Sequence, residues 1–160
     1  MLMTPDIVKI PWQNMVIYPA GWYARDITVQ ASLRLPANFQ LASALELAGP
    51  DGGRPAVFMP TSLETLVDSP VYAGRYLQRC DLAPGASIPI RLSVFADSAE
   101  DLAVSPEELV RMRAMVDETE RLFESSHYKH YDLLISFPRM STFFRGMASP
   151  GNRRTCGLRI

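Results

Sequence analysis

Cysteine is almost missing from this chain. Two residues in 160, Cys80 and Cys156, are too few for a disulfide scaffold and lack the spacing of a metal site. One Cys80–Cys156 bridge is the most they could form, and Cys80 reads better as a half-buried strand residue. Histidine is as scarce, at two. Long apolar runs are absent too. Nothing approaches the roughly 18–20 residues of a membrane-spanning helix, and the opening MLMTPDIVKIPWQN has neither the basic start nor the apolar core of a signal peptide. The net charge is only −1, from 16 Lys and Arg against 17 Asp and Glu. That balance gives no overall pull toward nucleic acid or anionic lipid, so neither is expected as a partner. The compartment stays open between cytoplasm and periplasm. What remains, 48% hydrophobic residues punctuated by 13 prolines, is an ordinary globular chain. Its length suits one domain, or one small domain with part of another.

The first hundred residues carry the signature of strands. From Ile27 to Leu35 the apolar residues Ile27, Val29, Ala31, Leu33 and Leu35 alternate with Thr28, Gln30, Ser32 and Arg34. That period of two predicts a sheet with one dry and one wet face. Pro36-Ala37-Asn38 supplies a turn, and Phe39, Leu41, Leu45 and Leu47 resume the alternation. Gly49-Pro50-Asp51-Gly52-Gly53 is a loop signal, since it combines a fixed φ with residues tolerant of positive φ. Short runs at 56–59 and 75–82 follow, and Ile88, Ile90, Leu92 and Val94 alternate again. Strands so spaced predict an antiparallel sandwich-like domain over residues 1–98.

The pattern changes after Asp97. Ser105-Pro106-Glu107-Glu108 is a helix start: a capping hydroxyl, a proline at the first helical position, and a Glu able to close a capping box. Leu109, Met112, Met115, Val116, Thr119, Leu122 and Phe123 then fall at spacings of three and four, one apolar stripe of a helix over 105–124. Residues 125–130 break it, and Tyr131–Phe137 reads as a short, largely buried strand. The fold class expected is therefore mainly β: the antiparallel domain, then one long helix and a short strand of an incomplete α+β unit over 99–137. Residues 138–160 form an irregular basic tail.

No catalytic constellation can be assembled from these residues. His127-x-x-His130 invites a zinc reading, but neither imidazole is followed by Glu and no third donor is placed by spacing. A Tyr/His-rich turn is the plainer reading, and no metal ligands are assigned. There is no phosphate-binding loop and no Gly-x-Ser-x-Gly elbow. Glu64 and Asp68 lie four apart, but between Pro60 and Pro70 a helical pairing cannot be assumed. Asp68 and Ser69 can bond nearby amides in an Asx-type turn, Pro70 fixes the exit, and Gly74 permits a close approach or an unusual φ.

The segment Phe58-Met59-Pro60-Thr61-Ser62-Leu63-Glu64-Thr65-Leu66-Val67-Asp68-Ser69-Pro70-Val71-Tyr72-Ala73-Gly74-Arg75 is more particular than a loop. It resembles, almost residue for residue, the pre-catalytic segment of the glycyl aminopeptidase-type zinc metallopeptidases. These are bacterial gluzincins with chains of several hundred residues. Tyr18-Pro19-Ala20-Gly21 with Arg25-Asp26-Ile27, the run from Leu92 to Asp97, and His127–Leu134 extend the likeness to about residues 14–137. The resemblance implies the later part of an N-terminal β domain followed by the first helix and strand of a thermolysin-like unit. It implies a parent enzyme that uses zinc to release N-terminal Gly or Ala from peptide substrates. It also implies that a polar residue of the turn, Glu64 or Asp68, presents a carboxylate to the substrate's free amine, with a bracing turn as the alternative. The family's His-Glu-x-x-His does not occur, so the chain itself holds no zinc by that chemistry, offers no catalytic residue, and is expected to be inactive alone. A non-enzymatic β module that binds peptides or a partner protein is the other reading.

The tail departs from the family pattern. Residues 138–160 contain five arginines and no acid, leaving 11 basic against 17 acidic groups in the rest. Where the family continues Gly-Leu-Glu-His-His-x-Ser-Ser-Asp, this chain ends its basic run in Arg153-Arg154-Thr155-Cys156-Gly157. The codons TCG-TCG-GAC-CTG-CGG, for Ser-Ser-Asp-Leu-Arg, give Arg-Arg-Thr-Cys-Gly when read one base later. A change of reading frame soon after Phe137 therefore accounts for the tail. An RNA-binding arm is the competing account and predicts salt-dependent binding lost on deleting 138–160.

Overall fold

The alternation at residues 27–35 holds as a packing rule but not as one continuous strand. In the computed structural model, which describes residues 2–50, 54–102, 104–123 and 128–139, the five odd-numbered residues pack against the core while the even ones face solvent. The strand itself is divided into β3 (Thr28–Val29) and β4 (Ser32–Leu33). β6 (Ala56–Val57) pairs antiparallel with β4, and β7 (Thr61–Ser62) with β3. Between these ladders three residues, Phe58 to Pro60, oppose two, Gln30 and Ala31. That extra residue is a bulge, and Pro60, which has no N–H to donate, sits within it. Phe58 N–H still reaches Ala31 O at 3.0 Å.

Two compact units divide at Arg75/Tyr76, upstream of the change in sequence pattern after residue 98. In the first, β1 (Leu2–Met3), β2 (Ile7–Ile10), β8 (Val71–Gly74) and β5 (Gln40–Ala42) form an antiparallel sheet in the order β1-β2-β8-β5. All four residues of the inner strand β8 are buried. Gly74 lies opposite both Ile7 and Gln40, and its φ is not positive. Of the two alternatives expected for Gly74, a close approach or an unusual φ, the second is not met: Gly74 is strand. Lys9, directly across from Tyr72, places its ammonium 4.9 Å from that ring. The core gathers Ile10, Leu41, Leu45, Phe58, Leu63, Leu66 and Val71, with Trp12 edge-on to Phe58 at 6.3 Å between centroids.

The second unit begins with β9 (Tyr76–Asp81) and β10 (Ile90–Ala96), an antiparallel pair. Their link includes the turn Ala83-Pro84-Gly85-Ala86, closed by Ala86 N–H to Ala83 O at 3.0 Å. Gly85 takes φ +88°, which a type II turn needs at its third position after proline. The predicted helix is α2 (Pro106–Phe123). Ser105 Oγ accepts from Glu108 N–H at 3.1 Å, and Glu108 Oε2 accepts from Ser105 N–H at 3.1 Å. This is the capping box read from the sequence, and such a cap contributes about 1 kcal/mol.

α2 leads to β11 (Tyr131–Phe137), which pairs parallel to β10 over its whole length. The result is a βαβ unit on an antiparallel hairpin, with strand order β11-β10-β9. Periodicity alone did not specify that direction. Leu109, Met112 and Val116 of α2 cover Leu92, Val94 and Ile135. The rest of the stripe is uncovered: Met115 is 43%, Leu122 76% and Phe123 67% exposed. β11 is likewise half-buried, with only Ile135 fully so, which corrects the largely buried strand expected. The mainly β fold class, with antiparallel sheets and a long helix, is as expected. Cys80 is a half-buried free thiol on β9, whereas Cys156 lies outside the described residues. Among those residues no helix is long and apolar enough to cross a membrane.

Candidate functional site

Residues 61–75 build the site around α1 (Leu63–Asp68), the short helix that precedes β8. Ser62 caps it, its Oγ accepting from Thr65 N–H at 3.1 Å and lying 2.9 Å from Thr65 Oγ1. Leu63 and Leu66 are buried, and Val67 packs against the same core. The helix closes through the main chain, Ser69 N–H donating to Leu66 O at 3.2 Å. Pro70 O accepts from Ser43 Oγ at 3.2 Å. Arg75 ends the segment with its Nε 3.2 Å from Asp6 Oδ1 and its N–H donating to Asp6 O at 2.9 Å. Most of this run is therefore architecture: a cap, two core leucines, an inner strand and a clasp.

Glu64 and Asp68 are the exceptions. Helical geometry, which the flanking prolines had left open, puts them on one face, and both are exposed. Neither makes a hydrogen bond or ion pair to another described residue. The Asx-type turn expected of Asp68 is not formed: the residue two positions on, whose N–H it would need, is Pro70, which has none. Glu64 lies in the first turn, where the helix's partial positive charge favours it. Asp68 lies at the last residue, where it does not, and the two like charges oppose each other. A cation arriving from outside would relieve both terms.

The sequence reading missed two polar clusters. His130 Nδ1 lies 2.6 Å from Asp132 Oδ2, and Arg91 Nε lies 3.6 Å from Asp132 Oδ1. The carboxylate only accepts, so Nδ1 carries the hydrogen. The signal was available, since His130 stands immediately before β11 and residues two apart in extended chain point to one side. His127, the other half of the His-x-x-His pair, lies outside the described residues. Among the described residues no three His, Cys, Asp or Glu side chains gather to hold a metal ion.

The second cluster ties Arg139 to acids after β10. Arg139 N–H donates to Asp97 Oδ2 at 2.6 Å, and its Nε to Asp101 Oδ2 at 2.8 Å. The first arginine of the basic tail is thus engaged, while the other four lie outside the described residues. The Ser98 hydroxyl, donating to Asp101 Oδ2 at 2.8 Å, is the main cause holding the Asp101 carboxyl below its ordinary value of 3.8, with Arg139 adding to it. A lowered folded-state value means the contribution is present above pH 3.8 and is lost as pH falls through the folded value. Ser98→Ala is expected to move the Asp101 midpoint up toward the ordinary value in a carboxyl-carbon NMR titration. An unchanged midpoint would assign the effect to Arg139.

Residues 1–75 match the family described as the Peptidase M61 N-terminal domain. The boundary coincides with the first compact unit, Met1–Arg75. An aminopeptidase N family protein from Idiomarina loihiensis has a similar fold, with a TM-score of 0.61 at 15% identity over 82% of this chain. This chain spans 22% of that one. No curated protein sequence matches it. The first unit is thus similar to the N-terminal domain of a peptidase family, and the likeness in fold continues beyond it.

Proposed function

We propose that the chain is the N-terminal part of a glycyl aminopeptidase-like zinc metallopeptidase, comprising the later β domain and the first helix and strand of the catalytic unit. The parent enzyme releases N-terminal Gly or Ala from peptides, while this chain does not hydrolyse them alone. The observation that carries the reading is the coincidence of the matched residues 1–75 with one compact unit that ends on the Leu-Val-Asp-Ser-Pro-x-x-x-Gly-Arg run. The absence of His-Glu-x-x-His from the sequence supports the inactivity. The purified 160-residue chain is expected to carry no stoichiometric zinc by elemental analysis and to leave Gly-p-nitroanilide intact. A bound equivalent of metal together with turnover would overturn this.

In this reading Glu64 and Asp68 form the acidic face that receives the peptide's ammonium group. Their exposure and their lack of a partner among the described residues favour it over a bracing role. The residue corresponding to Glu64, changed to Gln in a full-length relative, is expected to raise KM for free-amine peptides about tenfold with kcat kept, the size of one charge-assisted contact. An equal loss against N-acetylated peptides, or a lowered melting temperature, would return the turn to a structural role.

A further inference from the structure

We draw no further inference here: the strongest candidate, the surface loop between Trp12–Asn14 and Ala24–Asp26 on which Ile17, Trp22 and Tyr23 stand exposed, is an unpartnered apolar patch, and nothing in the structure shows what covers it.

Discussion

Phe58→Ala is expected to cost about 3–5 kcal/mol of stability, the largest loss of any single change considered. Phe58 has no exposed surface and meets Trp12 at 90° between ring planes, so its removal deletes both a buried ring and an edge-to-face contact. Its neighbours in the chain are held by the β4–β6 ladder and by the bridge from Phe58 to Leu47, which limits how far the site can collapse. A residual cavity is the consequence, and its volume adds to the transfer term. Against a total of about 5–15 kcal/mol for a typical domain, such a loss is a large fraction. Urea unfolding followed by tryptophan fluorescence measures it, with Phe58→Leu as the milder comparison. A loss under 1 kcal/mol would mean that the ring is not central to the core.

Asp132→Ala is expected to cost about 1–3 kcal/mol, the penalty for leaving a mostly buried donor without its acceptor. The side chain of Asp132 is 6% exposed and that of His130 18%, so water can do little to replace the lost bond. Arg91, at 49%, is half in solvent and rehydrates more readily. The cost should therefore fall mainly on the His130 contact. Asp132→Asn, which keeps an acceptor oxygen but not the charge, should recover much of the loss. Thermal melts of the two variants check the order, and equal losses would indicate that charge rather than the hydrogen bond holds the pair.

Much of the local structure was legible because it obeys local rules. The capping box at Ser105 and Glu108 formed as the residue types require, since both partners lie within one turn. The odd-numbered residues from Ile27 to Leu35 turned inward as their period demands, even though the strand broke. The break was harder to read: it depends on Pro60, some thirty residues away, being brought opposite as an unpaired bulge. Glu64 and Asp68 were legible as candidates, but their common face was not. Only the buried Leu63 and Leu66 made a helix of a segment bounded by prolines.

By itself the sequence determined the mainly β character, the position and start of the long helix, the lack of a His-Glu-x-x-His motif, and the resemblance of the Phe58–Arg75 run to a peptidase family. Each of these rests on residue type and short-range spacing. Tertiary structure alone decided that the units divide at Arg75, that β11 runs parallel to β10, and that His130 meets Asp132 while Arg139 meets Asp97 and Asp101. It also decided which half of the helical stripe is covered. Those outcomes depend on which strands find one another across long separations, and a period of two reads the same whichever neighbour a strand acquires.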